Sequence, residues 1–132
     1  MNYTDIISKW KEKKIDSIEK LDQQLSNFRI TFAYNSGTIE NPQITYHATR
    51  EVFENGKVIN FCGDTQTIFE IENQKKCYNF LVPKIINKDP ITSDLIKKIH
   101  YQLMQGVYDE HRWQKGERPG HYKIHDYCLL YT

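Results

Sequence analysis

The polar residues with the clearest chemical potential are Ser36, Glu40 and Asn41, which follow a long apolar pattern and directly precede Pro42. Proline lacks an amide donor and restricts the residue before it, so the helix predicted here should end close to Glu40. A carboxylate at that position faces the negative end of the helix dipole, which costs roughly a few tenths of a kcal/mol. These residues can cap the helix, contact an anion-binding pocket, or present Glu40 to a cationic partner.

The histidines form no recognisable catalytic or metal motif. His100 lies within an apolar helical pattern, which favours a side chain satisfied at the edge of the core over a general base. His111, His121 and His125 are ten and then four residues apart, in a segment interrupted by glycine and proline, and this spacing supports no helical pair of zinc ligands. No metal site is therefore expected.

The remaining reactive side chains are expected to be structural or solvent-exposed. Glu70 and Glu72 are two residues apart and cannot face each other on a helix, so paired acid–base catalysis has little support. Lysine doublets at 75–76 and 97–98 lack interleaved aromatic residues, which indicates solvated helix faces. The three cysteines form no CxxC pair and are expected to be reduced thiols: Cys62, Cys77 and Cys128.

Length and composition predict one folded, cytoplasmic domain. The 132 residues are enough for a single modest core, and the 13% of aromatic residues argue against disorder. Eighteen basic and 17 acidic residues nearly cancel, so no basic footprint for nucleic acid is visible. No apolar run approaches the roughly 18 residues needed to span a bilayer. Neither nucleic acid nor a membrane is an expected partner.

Apolar spacing and cap residues predict an all-α fold. Residues 4–13, behind Thr4, are predicted to form a short helix or the opening of a longer one. A long helix is predicted from Ile15 to about Glu40. Thr45 is then the expected N-cap of a helix that ends at Asn55 and Gly56. These elements would dock an apolar stripe along one side of the core.

The second half of the chain is predicted to contain two further helices and an irregular C-terminal segment. Asp64 or Thr65 opens the first of these, and Pro83 should end or kink it near Leu81 or Val82. Thr92 caps the second, which runs to Gly106. From residue 107 onward, glycine and proline predict a loop and then a short strand or hairpin.

Five runs of sequence, in this order, resemble the Fic (filamentation induced by cAMP) domain family. Phe32–Asn41 and Ile44–Phe53 look like the inhibitory helix and the first core helix of that family. Glu70–Lys76 and Ile91–His100 look like the next two helices, and Gly116–Lys123 is similar to the segment that enters the target-binding flap. The resemblance extends over about residues 15 to 127.

The resemblance implies protein adenylyltransferase chemistry for complete family members, which transfer AMP from ATP to a hydroxyl of a target protein. Their signature, HxFx(D/E)GNGRxxR, supplies a general-base histidine and a glycine-rich turn that holds the ATP phosphates with Mg²⁺. An inhibitory glutamate pairs with the last arginine of that signature and displaces the γ-phosphate. By resemblance, Glu40 takes this role, with Ser36 and Asn41 supporting the helix end.

The same resemblance places Tyr122, Lys123 and Ile124 in the flap that grips the target by strand addition, although an ordinary loop is an equal alternative. No GNGR occurs in these 132 residues, and Asn41–Pro42 stands where many relatives have Gly–Asn. The chain is therefore expected to contain no catalytic residue, to need no cofactor and to be inactive alone.

The expected architecture is a single partial Fic-like domain with N-terminal and inhibitory helices in 1–41, core helices in 42–106, and a loop and flap in 107–132. A domain cut short inside the flap should leave Phe28, Phe32 and Ile99 incompletely covered. Apolar patches of this kind usually find a partner. The alternative is therefore a helical interaction module, or a remnant that forms a homo-oligomer through this surface.

Overall fold

The computed structural model describes residues 2–58, 61, 63–108 and 110–124, and this part of the chain contains helices and no strand. The all-α prediction is confirmed. The helices are α1 (Tyr3–Glu12), α2 (Ile18–Leu25), α3 (Phe28–Glu40), α4 (Tyr46–Asn55), α5 (Thr65–Ile86), α6 (Ser93–Leu103) and α7 (Glu110–Gln114). None of the described helices combines the length and apolar character required to cross a bilayer.

The N-cap of the first helix lies two residues before the predicted position. Asn2, and not Thr4, is the N-cap of α1: its side chain accepts a hydrogen bond from the Asp5 amide at 2.9 Å, and the Asp5 carboxylate accepts one from the Asn2 amide at 3.4 Å. This reciprocal pair is a capping box, which satisfies two amides that a helix start otherwise leaves unpaired. No residue of α1 is buried.

The long helix predicted from Ile15 to Glu40 is wrong, because the chain breaks into α2 and α3 at Ser26 and Asn27. The Ser26 hydroxyl donates to the Gln23 carbonyl at 3.4 Å, and the Ser26 carbonyl accepts from Nε of Arg29 at 3.2 Å. Serine and asparagine compete in this way with the helical backbone. After the break, Ile30 and Ala33 are the buried residues of α3, while Phe28 and Phe32 lie on the exposed side.

Of the two predicted effects of Pro83, an end of the helix is wrong, because α5 continues through the proline to Ile86. Pro83 is exposed, and so is Asn79, whose carbonyl loses its helical donor to the proline ring. Water can satisfy a carbonyl on that side, while the preceding residue, Val82, is buried in the core. The helix ends only where Lys88 adopts a positive φ of 56°.

Helix α5 is the centre of the domain, since it packs against α2, α3, α4 and α6. Its side chains bind the ends of two neighbours: Nζ of Lys75 donates to the Val52 carbonyl of α4 at 3.0 Å, and Nδ2 of Asn73 donates to Leu103 and Gln105 carbonyls at 3.1 and 2.7 Å. Lys75 is therefore not the solvated lysine expected from its doublet. The bonds from Asn73 supply donors to carbonyls at and just beyond the end of α6. Lys75 adds a second donor to the Val52 carbonyl, which also accepts from the Gly56 amide at 3.0 Å.

The core consists of two small apolar clusters around α5. Ile44, Ala48, Val52 and Ile71 form the first cluster, and Ile30, Ala33 and Phe53 form the second, with Tyr78 packed against it. The predicted caps Thr45, Asp64 and Thr92 all accept the expected amide hydrogen bonds and begin α4, α5 and α6. The sequence pattern missed α7, which lies in the segment predicted to be a loop.

Candidate functional site

The side chain of Asn41 links the end of α3 to the first turns of α5 by hydrogen bonds. Its Nδ2 donates to Oγ1 of Thr67 at 3.0 Å and to a carboxylate oxygen of Glu70 at 2.7 Å, while its Oδ1 accepts from the Gln43 amide at 3.0 Å. The Asn41 amide also donates to the Gly37 carbonyl at 2.9 Å, which closes the last turn of the helix. Asn41 therefore acts as a connector between two helices.

Behind Asn41, the hydrogen-bond network continues into the N-cap of α5. Thr67 is fully buried, and its hydroxyl both accepts from Asn41 and donates to Oδ1 of Asp64 at 2.8 Å. Asp64 also accepts from the Thr67 amide at 2.9 Å, and these two bonds lower the pKa of the Asp64 carboxyl. Glu70 is half-buried in this network, which corrects the expectation that it is a solvated glutamate.

Glu40 lies at the last residue of α3 and points into solvent. The predicted helix end is confirmed, and among the described residues the Glu40 carboxylate makes no hydrogen bond or ion pair. The preceding residue in the chain, Ile39, is also exposed, with a relative accessibility of 79%. The end of α3 thus combines a fixed Asn41 with a carboxylate that is available to a partner outside these contacts.

Ser36 lies one turn before Glu40 and is half-buried, with no side-chain hydrogen bond to the described residues. Gly37 beside it makes close packing possible, because a Cβ at this position would lie 2.9 Å from Cδ1 of Ile44. A side chain there would require the Ile44 side chain to shift. Ser36 and Gly37 therefore belong to the tightly packed side of the helix end.

The segment from Gly116 to Ile124 is held by a buried carboxylate that the sequence analysis did not single out. Glu117 is 1% exposed, and its two carboxylate oxygens accept from the Ile124 amide at 2.8 and 3.0 Å. A glutamate in a Gly/Pro-rich stretch gives no periodic signal of burial, which explains why the pattern analysis overlooked it. Glu117 closes residues 117–124 into a compact loop.

His100 of α6 forms a hydrogen bond with the same loop. Its Nδ1 accepts a hydrogen bond from the Gly120 amide at 3.0 Å, and its ring packs edge-on against Tyr108 with centroids 6.0 Å apart. Burial, and secondarily the Arg112 charge, lower the pKa of His100. The expectation of a satisfied histidine at the edge of the core is confirmed.

The predicted flap residues lie at the end of this loop and form no strand within the described part of the chain. Tyr122 and Ile124 are 67% and 66% exposed, and Nζ of Lys97 lies 4.3 Å above the Tyr122 ring centroid. Lys97 is thus in contact with an aromatic ring. The rest of the predicted hairpin, residues 125–132, lies outside the described residues, as do His125, Cys62 and Cys128.

The structure does not bring the two predicted sites together. Asn41 contacts α5, whereas the loop that carries Tyr122 contacts α6 through His100 and Lys97. Within the described residues, no group of three or more histidine, cysteine or acidic side chains is arranged to hold a metal ion. Cys77 is a buried free thiol, and burial raises its pKa.

Comparisons with protein-family models, with curated proteins and with solved structures found no match to this chain.

Proposed function

We propose that these residues form the regulatory and core-helix part of a Fic-like protein adenylyltransferase, with Glu40 as the inhibitory glutamate. The observation that carries the proposal is the state of Glu40: it ends α3, is exposed and has no intramolecular partner among the described residues. An inhibitory glutamate must be free to meet an arginine. A carboxylate at a helix C-terminus also gains from such a cation, because the cation offsets the helix dipole.

The order of helices adds support. The run that resembles the inhibitory helix coincides with the end of α3, and the next three resembling runs lie in α4, α5 and the start of α6. The run that resembles the flap entrance forms the loop closed by Glu117. Under this proposal Ser36 and Asn41 support the helix end, and Tyr122, Lys123 and Ile124 meet the target protein.

These 132 residues contain no GNGR sequence, so the phosphate-binding turn of complete relatives is not among them. No described residue is assigned to ATP or Mg²⁺. The proposal therefore includes inactivity of this chain alone. Incubation of the purified chain with labelled ATP, magnesium and candidate target proteins should give no incorporation of AMP, and incorporation that persists after removal of contaminating enzymes would contradict this part of the proposal.

Glu40→Gly tests the inhibitory role when the chain is fused to a GNGR-containing segment of a Fic protein. Incorporation of labelled AMP should rise in the Glu40→Gly fusion relative to the unsubstituted fusion, because the arginine is released from the glutamate. Glu12→Gly is the matched control, since Glu12 is also an exposed glutamate at the last residue of a helix. Equal incorporation in all three fusions would remove Glu40 from the inhibitory role.

A helical interaction module is the second candidate, and a specific surface favours it. Phe28 and Phe32 are 58% and 56% exposed, with ring centroids 5.6 Å apart on the outer side of α3. Paired exposed aromatic rings are typical of surfaces that bind another polypeptide. This candidate requires association without catalysis.

Light scattering over a range of concentrations tests the second candidate. A self-associating chain should show a mass that rises with concentration, and Phe28→Ser with Phe32→Ser should return it to the monomer. Ile91→Ser is the control, because Ile91 is 84% exposed outside that pair. A monomeric mass at every concentration would argue against self-association.

A further inference from the structure

A shallow cavity of about 520 Å³ lies between the end of α6 and the segment that follows it. Its walls include three aromatic rings, a methionine, an arginine and a histidine: Tyr101, Met104, Tyr108, Trp113, Arg118 and His121. This volume is within the range of small-molecule sites. None of the roles proposed for Glu40 or for Tyr122 uses this cavity.

Arg118 is held rigidly at the wall of the cavity. Its Nη1 donates to the carbonyls of Trp113 and Glu117, each at 2.7 Å, and its Cζ lies 3.6 Å from the centroid of the Trp113 ring. A guanidinium has five N–H groups, and these two bonds use those on Nη1. The N–H groups on Nε and Nη2 have no protein partner among the described residues.

A fixed guanidinium with free N–H groups on adjacent nitrogens matches the two oxygens of a carboxylate or a phosphate. The charges around the cavity agree with an anionic ligand, since its lining contains Arg118 and His121 and no carboxylate. Glu117, the residue before Arg118, does not line the cavity, because it is buried and its carboxylate accepts hydrogen bonds from the Ile124 amide. The aromatic walls favour a flat apolar body on the same ligand.

We propose that this cavity binds a small aromatic oxyanion, meaning a carboxylate or phosphate group attached to a planar ring. The oxygens accept hydrogen bonds from Nε and Nη2 of Arg118. The ring packs against Tyr101 and Tyr108, which line the cavity. This oxyanion site does not depend on Glu40. A negative result in the Glu40→Gly experiment would therefore not contradict the site, and a lack of benzoate binding would not contradict the role proposed for Glu40.

Benzoate and benzamide are the probes, because they share a ring and shape and differ in charge. Trp10→Phe leaves Trp113 as the sole tryptophan, so its indole N–H resonance and fluorescence report on the cavity alone. Benzoate should shift the Trp113 signal with a dissociation constant on the order of 1 mM. Benzamide should bind about tenfold more weakly, since it lacks the charge-assisted hydrogen bonds. Phenyl phosphate distinguishes a preference for phosphate from one for carboxylate.

Arg118→Gln should abolish the preference for benzoate over benzamide, whereas Lys76→Gln, which removes an exposed positive charge on α5, should preserve it. If Arg118→Gln unfolds the chain, salt provides the second measurement: near 1 M salt, benzoate binding should weaken and benzamide binding should not. Equal affinities for benzoate and benzamide would overturn the proposal. Saturation of other resonances with no response at Trp113 would overturn it as well.

Discussion

Replacement of Asn41 by alanine should lower the free energy of unfolding by about 2 kcal/mol, because three side-chain hydrogen bonds are lost together. The bond to Thr67 contributes about 1 kcal/mol and the bond to the half-exposed Glu70 a similar amount, after allowance for solvent screening. The hydrogen bond from the Gln43 amide to Oδ1 of Asn41 adds roughly a few tenths of a kcal/mol. Thr67 retains its bond to Asp64, so its buried hydroxyl is not left without a partner.

Urea unfolding followed by circular dichroism measures this loss, and for a chain of this size it corresponds to about 6–10 °C in melting temperature. Asn35→Ala is the matched control, since Asn35 is exposed on the same helix and its side chain makes no hydrogen bond to the described residues. A double-mutant cycle between Asn41→Ala and Glu70→Ala should give a coupling energy of about 1 kcal/mol. A loss below about 0.5 kcal/mol with no coupling would refute the assignment of Asn41 as the connector.

Further predictions concern the loop that covers α6. Since burial and Arg112 lower the pKa of His100 in the folded chain, the unfolded chain binds the proton more readily, so the His100 contribution to stability should be complete above about pH 6.5 and decline as the pH falls below it. In urea unfolding as a function of pH, His100→Gln should flatten this decline and His111→Gln should not; the same decline in both variants would contradict the assignment. Gly120→Ala should cost about 2 kcal/mol, because φ is +81° and the new Cβ would lie 3.0 Å from Cβ of Tyr101. Gly56→Ala, with φ of +78° and open space, should cost about 1 kcal/mol, and equal losses would mean that contact with Tyr101 is unimportant.

Local chemistry in the sequence was sufficient to place several helix boundaries. Thr45, Asp64 and Thr92 accept amide hydrogen bonds from residues three positions later, so each cap depends only on its own turn. The same holds for the end of α3 ahead of Pro42. Boundaries of this kind require no knowledge of distant contacts.

Boundaries that depend on packing could not be predicted. Pro83 is tolerated because it lies on the exposed side of α5, and only the tertiary arrangement shows which side that is. The break at Asn27 likewise depends on Arg29, which reaches the Ser26 carbonyl from α3 and lies 5.7 Å above the Phe53 ring of α4. Periodicity predicts the apolar stripe that runs along α2 and α3, but it does not predict the residue at which one helix ends and the next begins.

The candidate site shows the same division between local and distant effects. The sequence identified the pair Glu40 and Asn41 but could not show which residues the Asn41 side chain contacts. The partners of Asn41, Thr67 and Glu70, are 26 and 29 residues away in the chain, so their contact is invisible to spacing. Glu117 was missed for a related reason, because its burial arises from a loop that closes on itself.

The adjacent positions of a fixed Asn41 and a free Glu40 have a mechanical consequence. Under the proposed inhibitory role, Glu40 has to meet a cation accurately and needs a rigid attachment, because a small displacement weakens an ion pair and its hydrogen bonds. Asn41 provides that attachment, and its bonds lead through Thr67 to the N-cap Asp64. The position of the backbone next to Glu40 is therefore set by the first turn of α5 as well as by α3. A substitution at Asp64 should consequently disturb any role of Glu40 from a distance, without touching the carboxylate itself.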